Sequence, residues 1–419
     1  MRAILLIVRR SLRRHALSTA VTALGVALAV GLVMAVFTVS TQSRAAFSGG
    51  TFDHRDAVLG ARGSQLQLVM NTVFHLETSP GNIPWSLYQT VKNDDRVALA
   101  IPYAVGDNYR GYRIVGTTPE MFTEFAFADG KRLDIAEGGR VFDPTAQQAL
   151  VGHVVATRLG LKIGDVIHPY HGIVFDEKAR HDAEYVVVGV MAPSNTPADR
   201  VVWIPIEGVF RMPGHALRGA GEVYTAKEGV AIPDEHKEVS AVWLKLKSNQ
   251  MGFRLDREIN KDGRVATLAW PIPRVMAEFF DKLGWMNDVL RLIGYLVAVV
   301  AAASILASLT NAMNERRREF AILRALGARR DTVFAAIICE AATIAALGCA
   351  IGFAVYFGIV FFAAAIIRRE TGVTIDVTAF HQTMISTPVG MIALGALSGL
   401  VPALKAYATD VAHHLTPDS

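Results

Sequence analysis

The chain has 419 residues, of which 52% are hydrophobic and only 19% are charged. This balance is shifted towards membrane proteins, leaves room for two or three domains and excludes extended disorder. The net charge of +4 is modest, and because the soluble part has no arginine stripe interleaved with aromatic residues, we do not expect nucleic-acid binding.

The N-terminal part of the chain is predicted to hold the protein in a membrane. Residues 1–15 contain five arginines interleaved with aliphatic residues, which favours an amphipathic helix on the cytoplasmic membrane surface. Residues 16–40 carry no charge and are long enough to cross about 30 Å of hydrocarbon, so we expect a first transmembrane helix. A cleaved signal peptide is the alternative, but the apolar run exceeds the usual ~7–15 residues and no clear small-x-small cleavage site follows it.

Residues 41–273 have the frequent Gly, Pro and charge of a soluble domain, and with the N-terminus inside they lie outside the cytoplasm. We expect an α+β domain there, or two intertwined lobes. Helices are predicted at 84–92, 119–125 and 154–159. Strands are predicted at 66–69, 111–116, part of 141–152, 165–167, 185–190, 201–204 and 241–246.

Residues 274–313 are predicted to form one long helix, first as an extracytoplasmic stalk and then as the second transmembrane helix. Pro271 and Pro273 break the chain before it, and apolar residues recur at helical spacing from Met276 to Leu290. The alternative is that this apolar stripe only packs on the soluble domain.

The loop at 314–330 is short, strongly basic and bounded by two very apolar stretches, which indicates the cytoplasmic side because Lys and Arg are retained there. Its Glu, Arg, Ala and Leu residues favour a helix, and Gly327 stands where a C-terminal cap would be. On such a helix Phe320, Leu323 and Leu326 (or Gly327) form a narrow apolar edge beside several arginines. A soluble partner protein could take this edge into a cleft. The alternative is an ordinary loop lying on lipid headgroups.

The remaining segments complete a four-helix topology. We expect a third transmembrane helix at 331–367, a short periplasmic segment at 368–383, a fourth transmembrane helix at 384–404 and a cytoplasmic tail at 405–419. Close to the spans, Lys and Arg number twelve on the predicted cytoplasmic side and two in the short outer loop. The charge rule therefore agrees with both termini in the cytoplasm.

The predicted spans contain one ionisable side chain and one cluster of small residues that need an explanation. Glu340 lies ten residues into the third span, where an ionisable side chain is costly. Snorkelling to the headgroups or an interhelical hydrogen bond is the favoured interpretation, and a proton path is the alternative. Gly395, Ser398 and Gly399 favour small-residue helix packing over an intramembrane serine protease, because no histidine lies in any predicted span.

Three histidines outside the spans are of the type that binds metal. His168 and His171 are separated by Pro-Tyr, and His181 follows ten residues later. Zinc binds three or four such groups where they converge, so His168, His171 and His181 are a candidate zinc site. The proline between the first two and the glycine after the second also suit a solvated loop, the commoner environment of such residues.

Several short blocks resemble a known transporter family. Residues 318–328, Arg-Glu-Phe-Ala-Ile-Leu-Arg-Ala-Leu-Gly-Ala, resemble the segment that follows the second transmembrane helix in permeases of the MacB and FtsX family of ABC transporters. Residues 402–406, with Asp410 and Leu415, resemble the closing Pro-Ala-x-x-Ala motif, although Val411 stands where the family usually has proline. Four blocks look, in order and spacing, like those of the MacB-type periplasmic core domain: 114–122, 150–152, 159–165 and 185–190.

The resemblance implies an integral membrane α-helical protein with four transmembrane helices in a one-plus-three arrangement and a large extracytoplasmic α+β domain, the MacB-type periplasmic core. It also implies a homodimeric permease subunit of the bacterial inner membrane that docks on a separate cytoplasmic ABC ATPase through a coupling helix. The residues of that coupling helix would be Glu315, Arg318, Glu319, Phe320, Leu323, Arg324, Leu326 and Gly327.

The resemblance further implies mechanical work instead of catalysis. No Gly-x-x-x-x-Gly-Lys-Ser/Thr phosphate loop occurs in the sequence, so we expect no catalytic residue and no cofactor, with ATP bound by the partner. ATP-driven dimerisation of the ATPases would move the outer domains and act on a periplasmic or membrane-attached substrate, with a periplasmic adaptor or substrate-binding protein as a further expected partner. The alternatives are an FtsX-like signalling scaffold that activates a periplasmic hydrolase, and a component of a zinc-linked transport system based on the histidines.

Overall fold

The chain forms two compact units. The helical unit comprises Met1–Gln42, Leu283–Ala365 and Asp376–Ser419, and the sheet unit comprises Ser43–Lys282 and Ile366–Ile375. The computed structural model describes residues 2–48, 52–128, 130–212, 217–219, 221–227, 229–325, 328–371 and 376–408.

The helical unit consists of helices, and the sheet unit contains further helices of its own that cover its sheet. Four segments of the described residues are long and apolar enough to cross a membrane: Ala16–Ala45, Gly284–Ala312, Arg330–Thr371 and Thr383–Lys405. In chain order the helices are α1 Arg2–Arg14, α2 Ala16–Ser48, α3 Gln65–Thr72, α4 Trp85–Lys92, α5 Glu120–Thr123, α6 His153–Leu159, α7 Ile206–Arg211, α8 Asn249–Asp256, α9 Ile272–Lys282, α10 Gly284–Ala325, α11 Arg330–Thr371, α12 Thr383–Ser398 and α13 Leu400–Ala408.

The long helices lie where the apolar segments predict them but differ from the predictions in extent: α2 continues through Ser48, and α10 runs from Gly284 to Ala325. α11 has 42 residues and continues beyond the predicted third span, through Thr371. The predicted fourth span is divided into α12 and α13 at Gly399, a small residue that closes α12. Within the predicted outer segment and C-terminal tail, 372–375 and 409–419 lie outside the described residues.

The sheet unit is built on one mixed β-sheet. The strands of this unit are β1 Asp56–Ala61, β2 Ile83–Pro84, β3 Val97–Tyr109, β4 Tyr112–Thr117, β5 Gln148–Val151, β6 Val166–Ile167, β7 Tyr170–His171, β8 Tyr185–Val190, β9 Val202–Pro205, β10 Glu238–Val239, β11 Ala241–Leu246 and β12 Ala266–Ala269. β2 and β10 pair with each other in a separate two-stranded antiparallel sheet, and the other strands form the mixed sheet. The strand order among the described residues is β12-β1-β11-β3-β4-β9-β5-β8-β6, with β7 paired to β3. β4 and β9 are parallel, as are β5 and β8, whereas the other pairs of this sheet are antiparallel.

Both faces of this sheet are buried, because side chains alternate between its two sides along each strand. In β1, Ala57 and Leu59 belong to one apolar core, whereas Val58 belongs to the other. The first core is covered by α4, α6, α7 and α8, and the second by α3, α5 and α9. The expected α+β domain is therefore built mainly on one mixed sheet between two helical layers.

The strand predicted at 66–69 is wrong, because these residues belong to α3. The side chain of Ser64 caps this helix by accepting a hydrogen bond from the backbone N–H of Gln67. Leu68 and Val69 are fully buried in the second core. A run of apolar residues this short does not distinguish a strand from one buried helical turn, and here the cap and the packing favour the helix.

The single long helix predicted at 274–313 is also wrong. The helical path begins at Ile272 and is interrupted at Leu283, so that α9 and α10 are separate helices. Val275 and Met276 are buried in the second core of the sheet unit, and Phe279 and Phe280 pack against it. The part of the apolar stripe on α9 therefore packs on the soluble domain, as the alternative interpretation has it, whereas Met286 and Leu290 on α10 are exposed.

Two glycines of the sheet unit lie where a larger residue would fit poorly. Gly164 has φ of +97°, which is favourable for glycine in the turn that leads into β6. Gly189 lies so close to the neighbouring backbone that a Cβ atom there would be 2.6 Å from the carbonyl oxygen of Arg140. Glycine at 189 thus allows β8 to pass this segment at close range.

Candidate functional site

The predicted coupling segment continues α10 without a break up to Ala325. Its backbone is therefore helical at six of the eight predicted coupling residues, from Glu315 to Arg324, and positions 320 and 323 share one face of the helix. The other two, Leu326 and Gly327, lie outside the described residues, as do the side chains of 313–327. Docking on an ATPase stays a prediction for all eight.

The helix that follows this segment is held by the C-terminal helix α13. Val333 and Ile337 of α11 are buried together with Ala403 of α13. The rings of Phe334 and Tyr407 meet edge to face at 6.3 Å, and the Arg330 guanidinium lies 5.8 Å from the centroid of the Tyr407 ring. Ring contacts of this kind contribute about 0.5–1.5 kcal/mol each, so they stabilise the packing of the start of α11 against α13.

Glu340 is engaged in an interhelical hydrogen bond. It is only 7% exposed, and its Oε1 atom accepts a hydrogen bond from the hydroxyl of Ser11 on α1, which is 2% exposed. Val8, three residues before Ser11 on α1, is also buried, as expected for the inward face of an amphipathic helix. This geometry supports the hydrogen-bond interpretation of Glu340, while the proton path stays untested.

Small residues bring α2, α11 and α12 into close contact. A Cβ atom at Gly348 would lie 2.5 Å from the Cβ of Val26 and 2.8 Å from the backbone oxygen of Ala23. Near the same face of α11, a Cβ atom at Gly395 would lie 2.6 Å from that of Ala345, and one at Gly399 would lie 2.9 Å from that of Ala341. Tight packing through small residues is the usual way in which helices associate in lipid, and the packing interpretation of Gly395 and Gly399 is confirmed.

Two of the three candidate zinc ligands come together, but around a residue that the sequence did not indicate. His171 Nδ1 lies 3.4 Å and His181 Nε2 3.3 Å from the same oxygen, Oδ1 of Asp107. Asp107 and His181 are buried, whereas the side chain of His171 is 55% exposed. The ligand atoms of these three residues all lie within 4.8 Å of one another. We call them the Asp107 cluster.

His168 is not a member of this cluster. Its Nε2 atom lies instead 4.0 Å from a carboxylate oxygen of Glu184. The side chain of Glu184 is 66% exposed, so this is a weak surface pair. Spacing along the chain suggested His168, but β7 begins at Tyr170 and only the residues from there on are paired with β3.

Backbone pairing accounts for the position of each member of the Asp107 cluster. Antiparallel pairing of β3 with β7 places Asp107 directly opposite His171. The backbone N–H of His181 donates to the carbonyl oxygen of Pro169 at 2.8 Å, which returns the chain to the same place. Asp107 lies more than sixty residues before the histidines. The spacing of potential ligands along the sequence therefore did not identify it as a candidate.

Matches to known protein families extend over most of the chain. A family model described as the MacB-like periplasmic core domain matches residues 19–251, and a second, described as FtsX-like permease C-terminal, matches 291–411. The chain belongs to the MacB/FtsX family of ABC transporter permeases. The second match includes the coupling segment, Glu340 and the small-residue contacts of α11 and α12.

Individual relatives of this MacB/FtsX permease are distant. It is 25% identical over 435 aligned residues to the macrolide export ATP-binding/permease protein MacB of Marinobacter nauticus, covering 98% of this chain but 60% of the relative. The periplasmic region of MacB from Actinobacillus actinomycetemcomitans is similar over 54% of this chain and 92% of its own, with 9% identity and a TM-score of 0.33. The extracellular domain of the noncanonic ABC-type transporter YknZ from Gram-positive bacteria is similar over 51% and 98%, with 15% identity and a TM-score of 0.30.

A half-buried histidine with a buried ring nitrogen lies in the sheet unit of this permease. The ring of His75 stacks on Tyr103 and meets Trp203 edge to face, with its centroid 5.6 Å from that of Trp203. Among the described residues no hydrogen-bond partner reaches its Nδ1 atom. Burial, together with the positive charges of Arg113 and Arg200, lowers the pKa of His75 from 6.5 to about 3.

This lowered pKa predicts a loss of stability of the permease in mild acid. Because the folded-state pKa of His75 is below that of the unfolded chain, its contribution is complete above about pH 6.5 and is lost as the pH falls towards about 3, by up to about 1.4 kcal/mol per pH unit. His75→Asn keeps a residue that tolerates the positive φ of 55° but does not titrate, so its melting temperature should vary less between pH 7.5 and 5.

The measurement is thermal unfolding of the full chain in detergent, followed by tryptophan fluorescence, since four of the five tryptophans lie in the sheet unit. His54→Asn, at an exposed histidine, should keep the pH slope of the unsubstituted chain. An unchanged pH slope in His75→Asn would contradict the assignment.

Proposed function

We propose that the chain is the transmembrane subunit of an ABC transporter in the bacterial inner membrane, where it couples ATP hydrolysis by a separate ATPase subunit to movement of its sheet unit in the periplasm. The proposal depends above all on one observation: the two family matches occur in order, with a basic helical segment between two long apolar helices in the second of them. In such a subunit the catalytic chemistry belongs to the partner, and this chain supplies docking and transmission.

The topology that fits this role has four transmembrane helices in a one-plus-three arrangement, with both termini in the cytoplasm. The four apolar segments α2, α10, α11 and α12–α13 are its spans. The arginines of α1 and of 314–330 then lie on the cytoplasmic side, where the charge rule requires them. The sheet unit, between the first two spans in sequence, lies on the opposite side.

Transmission along α10 is the proposed mechanical step. This helix has 42 residues and is about 60 Å long at ~1.5 Å per residue, roughly twice the thickness of the hydrocarbon layer. Its apolar part and the coupling segment therefore move as one rod. The hydrogen bond from Ser11 to Glu340 and the small-residue contacts of Gly348 hold α1 and α2 against α11, so that a displacement at the cytoplasmic end is shared by the bundle.

Two copies of the chain with two ATPases form the proposed working complex. ATP binding draws the ATPases together, and the permease subunits transmit this movement to the periplasmic side. There the complex acts on a periplasmic or membrane-attached substrate by export or extraction, with a periplasmic adaptor or substrate-binding protein as a further partner. The relative from Marinobacter nauticus is described as a macrolide exporter, and an apolar substrate of this type is one class to test.

Purification separates the permease from an enzyme that hydrolyses ATP itself. The full chain isolated from native membranes should bring with it an ABC ATPase that carries a Gly-x-x-x-x-Gly-Lys-Ser/Thr loop, because this chain has none. After the ATPase is removed, hydrolysis should fall to the background of a mock purification and return when the ATPase is added. Hydrolysis that stays with the purified chain would overturn the proposal.

A further inference from the structure

We propose that Asp107, His171 and His181 bind one divalent transition-metal ion in the sheet unit, with zinc as the best fit. This site goes beyond the transport role, because its three ligands all belong to the sheet unit. Its ligands are one carboxylate and two imidazoles, a donor set that zinc accepts with water in the fourth position.

The spacing of the donor atoms carries the proposal. Zinc binds nitrogen and oxygen at about 2.0–2.2 Å in a tetrahedron, whose donor atoms are then about 3.3–3.5 Å apart. The separations from Asp107 Oδ1 are 3.4 Å to His171 Nδ1 and 3.3 Å to His181 Nε2, which are the lengths of two edges of that tetrahedron.

A cluster held only by hydrogen bonds is the simpler alternative, and one of its contacts, between His181 Nε2 and Asp107 Oδ1 at 3.3 Å, is a hydrogen bond. It is longer than the about 2.7–2.9 Å of charge-assisted N–H···O bonds to a carboxylate. Both histidines approach the same carboxylate oxygen, and the ligand atoms of all three residues lie within 4.8 Å of one another, which is the arrangement that a shared metal ion requires.

Backbone pairing and hydrogen bonds hold these donor atoms in place without a metal, and this preorganisation favours metal binding. Asp107 and His171 are directly paired strand residues. The side-chain amide of Asn108 donates to the carbonyl oxygens of Tyr170 and Gly172, at 3.3 and 2.9 Å, and so secures the chain on both sides of His171. Asp107 and His181 are buried, while the exposed His171 leaves an entry path for the ion.

A metal ion here would fasten the segment from Pro169 to His181 onto β3. We therefore expect two effects of zinc: binding of one ion per chain, and slower amide exchange in this segment. Neither effect requires ATP or an ATPase partner, so failure of this proposal and failure of the transport role are distinguishable.

The test uses the full chain in detergent, without a histidine tag, stripped with a chelator and titrated with zinc sulfate by calorimetry. The unsubstituted chain should bind one equivalent, and His171→Gln should weaken binding at least tenfold because it removes one of three protein ligands. His168→Gln, at the neighbouring histidine that pairs with Glu184, should bind zinc as the unsubstituted chain does.

Hydrogen exchange supplies a second measurement. Because the effect of zinc is measured within each chain, a folding defect in one variant does not affect the result for the unsubstituted chain. Zinc should slow exchange at 169–181 in the unsubstituted chain and in His168→Gln, but not in His171→Gln. The absence of saturable binding, or equal binding by His171→Gln and the unsubstituted chain, would overturn the proposal. Equal losses in His168→Gln and His171→Gln would overturn this ligand set in favour of three histidines.

Discussion

Leu323→Asp is expected to detach the partner ATPase from the permease. In the proposed docked state the apolar edge of the coupling segment would lie in a cleft of the partner, where a carboxylate would have no counter-charge. We expect binding to weaken at least 100-fold, which corresponds to about 2.7 kcal/mol. The measurement is the amount of ATPase that co-purifies with the tagged chain at matched membrane insertion.

Two further variants distinguish docking from attachment to lipid headgroups. Ala321→Ser changes the same helical segment with little change in size and should leave co-purification intact. Joint replacement of Arg316, Arg317 and Arg318 by glutamine lowers the positive charge, which a lipid-surface segment needs most. If the triple variant loses more ATPase than Leu323→Asp, or if Leu323→Asp keeps the complex, the coupling role fails.

Gly348→Val is expected to disrupt the helical unit. The new Cβ would lie 2.5 Å from Val26 Cβ and 2.8 Å from the backbone oxygen of Ala23, and the added methyl groups need still more room. Backbone atoms of α2 cannot turn away as a side chain can, so α2 and α11 must separate. Overpacking costs about 1–3 kcal/mol as a rule and more where backbone atoms are in the way, which is a large fraction of the stability of a marginally stable protein.

Gly358→Val is the matched control, because it lies on the same helix and a Cβ there meets nothing within 4 Å. We expect Gly358→Val to elute as a single species in size-exclusion chromatography, with an unchanged melting temperature. Gly348→Val should aggregate or lose its cooperative unfolding transition. Equal behaviour of the two variants would show that the close contact of α2 and α11 is not required.

Local patterns were sufficient to predict much of this fold. β11 coincides with the predicted strand at 241–246, and α4 differs from the predicted helix at 84–92 by one residue. The apolar segments likewise indicated the long helices, because length and hydropathy are properties of the segment itself. The helical backbone of the coupling segment is local in the same sense, whereas its docking role came from the resemblance and requires a partner to be tested.

β3 shows why the rest was not predictable. This strand, Val97–Tyr109, contains Pro102, Gly106 and consecutive polar residues, all of which disfavour a strand on local grounds. It forms because β11 and β4 pair with its two edges, with an irregularity between Val105 and Asp107. Since Asp107 lies on this strand, its meeting with His171 and His181 depends on pairings across the sheet and is absent from any local pattern.

The hydrogen bond between Ser11 and Glu340 also orders events during synthesis. Its two partners are 329 residues apart, so at ~5–20 residues per second the ribosome makes Ser11 roughly 15–65 seconds before Glu340. In the proposed topology, α1 is therefore available at the membrane surface before α11 is inserted. We expect the Ser11 hydroxyl to be in place as a donor when the Glu340 carboxylate enters the bilayer, so that α1 serves as an assembly partner for α11.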